Sequence, residues 1–224
     1  MNATDKTNNQ PKMVIIGAGG HAVSVAETVV AAGYELVAFV SNDSHGQEIL
    51  GRPVLEQIPE NHIAGGGFLA IAIGDNSVRE RVWLELRASV DADRLPALIH
   101  PSASISQFAV IGAGTVVLQG AIVGSAANVG TGCLLNSGSI TEHECQVGDF
   151  ASLGPNTTLG GRVTIGQRSA ISIGATVKHG VSIGDDTVVG AQSYVYSDLD
   201  AEIVAFGIPA RVQRSRQPTD SYLT

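Results

Sequence analysis

The sequence predicts a small Rossmann-like α/β domain followed by a parallel β-helix. Three observations carry this expectation. Between residues 105 and 195 an aliphatic side chain returns at every sixth position but one. Before residue 102, apolar runs alternate with helical patterns, the order of a βαβ unit. The chain is also rich in glycine and poor in charge. Gly accounts for 27 of 224 residues and charged residues for only 15%, against about a quarter in ordinary globular chains. That composition points to many turns and small-residue packing rather than a helical bundle. Apolar residues reach 44%, enough for a packed core and too many for a disordered chain.

In the first half, residues 13–16 are an apolar run ending in Gly17-Ala18-Gly19-Gly20-His21. A helical pattern follows through Val23, Ala26, Val29 and Val30. Gly33 stops it, and residues 36–40 read as a second strand. A glycine-rich turn between a strand and a helix lets a ligand approach the backbone, and the helix N-terminus favours phosphate. The dinucleotide fingerprint is incomplete: its third glycine is Ala22, and Ser41-Asn42-Asp43 stands where an acid would follow the second strand. This argues against NAD. Residues 68–73 read as a third strand ending in Gly74-Asp75-Asn76, residues 77–88 as a helix, and 96–99 as a short fourth strand. The loops after strands one to three lie at the carboxyl ends of the sheet, where such sheets bind ligands. The α/β domain is thus placed at 12–101, the β-helix at 102–200 and a C-terminal tail at 201–224.

The repeat is read in steps of six from Ile105 to Val195. Fifteen of the sixteen residues in that column are aliphatic; the exception is Thr141. Two positions earlier runs a column of small residues that includes Cys133, Ser139, Cys145 and Ala151. The position after the aliphatic is often Gly, as at Gly112, Gly124, Gly148 and Gly160, which predicts positive φ there. This is the hexapeptide pattern of a parallel β-helix. Large aliphatics fill a prism, and the small column sits where its walls converge.

The formal charge is −8 and no basic stripe exists, so nucleic acid is not an expected partner. Arg211, Arg214 and Arg216 read as a solvated C-terminal run. The first twelve residues are polar, unlike a signal peptide. No apolar run approaches the ~20 residues of a spanning helix, so membrane insertion is not expected. Two cysteines do not make a disulfide framework. The chain reads as soluble and cytoplasmic.

Five segments together carry a resemblance: Gly17-Ala18-Gly19-Gly20-His21, Ile73-Gly74-Asp75-Asn76, His100-Pro101-Ser102-Ala103, Glu142-His143-Glu144-Cys145 and Gly207-Ile208-Pro209-Ala210. They resemble the sialic-acid O-acetyltransferase-like family of hexapeptide acyltransferases. Within it they are most similar to the N-acetyltransferases of nucleotide-linked 4-amino-4,6-dideoxy sugars of the bacillosamine and perosamine type. The resemblance implies a left-handed coil with three hexads per triangular turn. It implies a homotrimer that binds acetyl-CoA between neighbouring subunits and serves surface-glycan synthesis; no metal is expected. It carries the catalytic base over to His143, with Glu144 raising its basicity. Nucleotide-sugar contacts carry over to Gly19, Gly20, His21 and Gly74, and the positions of paired acids after strand two to Ser41 and Asn42. For acetyl-CoA they carry over to Gly161, Ile173 and Ala191, and to Ser152, which replaces a second His near the thioester.

The register gives its own reason to look at His143. Thr141 marks the odd hexad, and His143 and Glu144 follow it at a corner, facing out of the prism. Gly161 stacks one coil on, with room for a thioester or an amine, and Ser125 one coil before. A sugar ammonium must lose a proton before it attacks a thioester, and imidazole suits that task. Rival readings stand beside these. Glu144 could pair with Arg162 one coil away, and His21 could cap its helix. Lys178 and His179 read as solvated corner residues, Cys133 and Cys145 as buried thiols, and His45 and His62 carry no motif. O-acetylation of sialic acid shares the fold and the base. A zinc enzyme would need three histidines, whereas His143 and His179 are two coils, about 9.6 Å, apart. A non-catalytic scaffold would fail to bind CoA.

Overall fold

The computed structural model describes residues 10–222. The polar stretch read against a signal peptide lies outside the described residues, apart from Gln10, Pro11 and Lys12.

The N-terminal domain is a five-stranded sheet between helices. β1 (Lys12–Ile16), α1 (Gly20–Ala31) and β2 (Glu35–Val40) form the expected βαβ start. Next come β3 (Glu48–Ile49), β4 (Arg52–Leu55), α2 (Glu60–Ala64), β5 (Phe68–Ile71) and α3 (Asn76–Arg87). The strand order is β3-β4-β2-β1-β5, parallel except for the β3–β4 hairpin. Strand periodicity divides β1 between two cores. Met13 and Ile15 pack with Val25, Ala26 and Val29 of α1, while Val14 packs with Leu69, Ile71 and Trp83 on the α3 side.

The hexads build the prism. Two-residue strands recur every six residues from Ser104–Ile105 to Tyr194–Val195, and each pairs in parallel with the strand 18 residues on, as Ile122↔Ile140 and Val147↔Ile165 do. Three walls result. The first holds eight strands, the second six and the third five. The inward column, Val117 through Val195, is buried in one cluster with the small column.

Three sequence expectations change. Residues 96–99 do not extend the N-terminal sheet: Leu98–Ile99 pairs with Val116–Val117 and opens the first wall. The sheet is completed instead by β3 and β4, in a segment without an apolar alternation long enough to register. The glycine that follows each aliphatic does not hold the positive φ. That conformation falls two positions later, at Gly114, Gly120, Ala126, Gly138, Glu144 and Arg162 among others. Gly112, Gly124 and Gly160 are needed because a Cβ there would lie 2.6–2.8 Å from backbone atoms of the next coil. The stacking distance of about 4.8 Å leaves no room for one. Finally, the segment after residue 200 contains a hairpin. Ile203–Gly207 pairs in parallel with Val188–Val189 and antiparallel with Ala210–Ser215, extending the first wall. Arg211 and Arg214 are exposed, but Arg216 is buried.

The first wall receives the α/β domain. Leu98, Val116, Leu118 and Leu134 join the α1 core, and Trp83 of α3 meets Phe150 edge-on at 6.4 Å. Arg168 bridges the domains, with Asp186 at 2.7 Å and Glu80 of α3 at 3.1 Å.

Candidate active site

The expected site residues fall into two groups on different sides of the prism. The first is the corner between the second and third walls. His143 lies there between the strands Ile140–Thr141 and Gln146–Val147. Its carbonyl accepts from Arg162 N at 2.9 Å, and Glu144 N donates to Ser125 O at 2.9 Å, so the corner is clamped from both neighbouring coils. His143 Nδ1 is 3.0 Å from Glu144 Oε2. An ionised carboxylate only accepts, so Nδ1 carries the hydrogen of that bond and Nε2 is left with the lone pair. Both side chains are about half exposed. Glu144 therefore turns to the imidazole, and no ion pair with Arg162 forms among the described residues. Its positive φ of 60° is shared by Ala126 and Arg162 at equivalent corners, so it belongs to the repeat and is not a local distortion. Gly161 was expected to leave space for substrate. The imidazole itself fills that space, since a Cβ on Gly161 would fall on the His143 ring.

The second group surrounds a cavity of about 610 Å³ between the α/β domain and the first wall. His21 and Gly74 line it from the α/β side, Ser152, Ile173 and Ala191 from the β-helix, and Tyr222 from the C-terminal segment. The α/β contribution comes from the carboxyl ends of β1 and β5, where this sheet type binds ligands. A second cavity, of about 620 Å³, opens beside Lys12 and Phe68 at the opposite strand ends.

The glycines of the first loop divide by role. Gly17 has φ +116°, and a Cβ there would lie 2.7 Å from Ala72 O, so the fold itself requires it. Gly19 and Gly20 face open space, at the N-terminus of α1 where backbone N–H groups are free for an anion. His21 does not cap the helix: the N-cap is Gly19, without a side-chain bond. Its Nε2 is buried without a hydrogen-bond partner among the described residues. Burial first, and the Arg79 charge second, lower its pKa from 6.5 to about 4. The ring is therefore neutral at pH 7. Ser41 and Asn42 lie on the loop after β2, with Ser41 N bonded to Leu55 O at 2.9 Å, and neither lines the cavity.

His21 gives a pH prediction. Between pH 6.5 and 4 the unfolded chain binds the proton that the folded chain refuses. Stability is full above about pH 6.5, falls as the pH drops through that window, and the loss is complete below about 4. The shift corresponds to about 3 kcal/mol. Urea midpoints at pH 7 and 4.5 should fall less in His21→Asn than in the wild type; equal falls would refute the assignment.

Two residues missed in the sequence organise the cavity floor. Arg79 is fully buried, and all five of its N–H donors are used. They reach Ile73 O and Gly74 O at 2.9 and 3.0 Å, Asn76 Oδ1 at 2.7 Å, and, across the domain boundary, Gly132 O and Phe150 O at 2.7 Å. Asn76 also donates to Arg168 O at 2.8 Å. The second missed residue is Tyr222. Among the described residues no His, Cys, Asp and Glu side chains gather as metal ligands, and no helix is long and apolar enough to cross a membrane.

With this geometry in place, comparison with known proteins is direct. Residues 12–86 match the PglD N-terminal domain family. The chain is 34% identical over 111 residues to UDP-N-acetylbacillosamine N-acetyltransferase of Bacillus subtilis, an alignment that spans 47% of this chain and 50% of that protein. A point mutant of perosamine N-acetyltransferase from Caulobacter crescentus, in complex with CoA and GDP-perosamine, superposes with a TM-score of 0.84 and 34% identity. That match covers 91% of this chain and 97% of the other. The acetyltransferase domain of PglB from Neisseria gonorrhoeae, in complex with acetyl coenzyme A, gives a TM-score of 0.81 at 29% identity over 92% and 100% of the two chains. The fold is the small α/β domain and left-handed parallel β-helix of these proteins.

Proposed function

Because the chain belongs to the hexapeptide-repeat N-acetyltransferases of nucleotide-linked amino sugars, we propose that it moves an acetyl group from acetyl-CoA to the 4-amino group of a nucleotide-linked 4-amino-4,6-dideoxy sugar. The observation that carries this reading is the pairing of an outward dyad, with Nε2 of His143 free, and a cavity where a phosphate-favouring helix end faces the first wall. In this reading Gly19, Gly20, His21 and Gly74 receive the diphosphate and sugar, and Ser41 and Asn42 face the nucleoside. Ser152, Ile173 and Ala191 offer a small and apolar track suited to an acylated pantetheine chain. The amine nitrogen attacks the thioester carbonyl, forming C–N and breaking C–S. Nε2 takes the proton from nitrogen and returns it to the sulfur leaving group. Glu144 holds the tautomer that makes this possible.

The placement of the two groups supports a shared site. The corner bearing His143 lies between the second and third walls, opposite the first wall. Within one chain the filled prism separates His143 from the cavity. A second copy, docked with its corner against this first wall, would close the distance, which is what a homotrimer supplies. A cytoplasmic setting, where acetyl-CoA and nucleotide sugars are at hand, fits the same reading.

The test is a free-thiol assay with acetyl-CoA and UDP-, dTDP- and GDP-linked 4-amino-4,6-dideoxy sugars, with sialic acid as a separate acceptor. Thiol release with one nucleotide-amino sugar is expected, and it fixes the base that Ser41 and Asn42 accept. Release with sialic acid alone would replace N- by O-acetylation, a reading that the named activities of the relatives disfavour. Silence together with no CoA binding would overturn the acyltransferase reading.

A further inference from the structure

We propose that Tyr222, carried on the C-terminal segment, is a positioning residue for the acceptor, completing the cavity at the Gly74 loop. The inference rests on the reading that the α/β side of this cavity takes a nucleotide-linked sugar and its β-helix side the acylated pantetheine. Three observations support it.

The segment is built in. Arg216 is buried, with its backbone N on Glu202 O at 2.8 Å and its guanidinium on Asp186 O at 2.6 Å and Asp220 O at 2.7 Å. The same guanidinium lies 5.7 Å from the Tyr222 ring centroid, within cation–π range. Arg214 pairs with Asp220 at 3.5 Å. These bonds fix the path of the chain back toward the α/β domain.

The phenol then bridges the loop that follows β5. It donates to Gly74 O at 3.2 Å and accepts from Asn76 N at 3.2 Å. A hydroxyl has one hydrogen and two lone pairs, and the Ser152 side chain also bonds the phenol, so Tyr222 acts on a bound sugar by fixing the Gly74 loop and the wall beside it. The phenol lies in the cavity wall with His21 and Ser152. Burial pushes its pKa above the usual phenol range, so it stays a neutral donor.

Position also separates Tyr222 from the other groups that hold this loop. Arg79 holds Gly74 O from beneath, fully buried and out of a ligand's reach. Asn76 is buried against the β-helix. Tyr222 holds the loop from the cavity side. It therefore links the shape of the Gly74 turn to whatever occupies the space beside it.

The test compares Tyr222→Phe with the wild type. UDP, GDP and CoA binding are titrated calorimetrically, and steady-state kinetics use the nucleotide-amino sugar that the wild type accepts. Tyr222→Phe is expected to raise the acceptor KM about tenfold. It should leave kcat within about twofold and the CoA Kd unchanged, a split that loss of folding would not produce. Tyr222→Ala should exceed Tyr222→Phe. Unchanged acceptor KM, or a CoA Kd that moves in step with it, would overturn the proposal while leaving the acyltransferase reading intact. Tighter acceptor binding in Tyr222→Ala would overturn it in favour of an inhibitory strap. A wild type that binds CoA but neither nucleotide, and acetylates no nucleotide-amino sugar, would remove the underlying reading of the cavity and this proposal with it.

Discussion

His143→Asn is expected to lower kcat by roughly 10²–10⁴-fold, the usual worth of a general base, with little change in the KM for acetyl-CoA. Asparagine keeps a polar group at the corner and removes only the basic Nε2. Glu144→Gln should lose less, because its amide oxygen still accepts from Nδ1 while the charge that stabilises an imidazolium is gone. Gly161→Ala tests the geometry rather than the chemistry. The imidazole remains, but the added methyl falls on its ring, and the displaced base should lose turnover although no catalytic atom has been removed. Steady-state kinetics on the three variants decide the matter. If His143→Asn cost less than about tenfold, alignment of the two substrates would dominate and the base would be secondary. If Gly161→Ala matched the wild type, the packing of ring against glycine would be incidental.

The β-helix was legible because its period is rigid. A coil that repeats every 18 residues, as in Thr141↔Leu159, cannot tolerate a slip without turning an aliphatic outward, so the column survives in the sequence as written. The same regularity exposed His143, since a lone Thr in an aliphatic column marks an irregular hexad. What the period could not convey was the job of each glycine. Steric conflict with the next coil and left-handed φ both select Gly, and only coordinates separate Gly112 from Gly114. Arg79 had a readable signal that composition obscured. It lies four and seven residues before Trp83 and Leu86, on the apolar stripe of α3, where a solvated arginine has no place. Tyr222 had none. It stands outside every repeat and helix, and long-range bonds from Arg216 determine its position. The separation of the candidate residues between opposite sides of the prism was equally hidden, because hexad register gives the wall a residue occupies but not what faces that wall.

Arg79→Met is expected to destabilise the protein by about 3–5 kcal/mol, from the buried acceptors it leaves unsatisfied, and to lower Tm on the order of 10 °C. The argument is one of satisfaction. Burial pulls the guanidinium's pKa down, yet the group remains a cation, and among the described residues no carboxylate is bonded to it. Five donors and five acceptors close the account, four of them backbone carbonyls. Methionine fills similar volume but strands Gly132 O and Phe150 O on the β-helix and Ile73 O on the loop, while Gly74 O keeps the Tyr222 hydroxyl. Buried acceptors left in this way each cost about 1–3 kcal/mol. Arg79→Lys keeps the charge but has only three donors, so it should fall between. Because two of the bonds cross the domain boundary and two hold the Gly74 loop, stability and acceptor binding should fail together. Calorimetry of Arg79→Met should show the α/β domain separating from the β-helix as an earlier transition. The pH dependence offers a control, since Arg79 is one of the two causes that keep His21 neutral. Without that charge His21 should take up its proton at a higher pH than in the wild type, followed by its ring resonances in an NMR titration. A variant that melted earlier with the His21 midpoint unmoved would show Arg79 to be a structural clamp without electrostatic reach into the cavity.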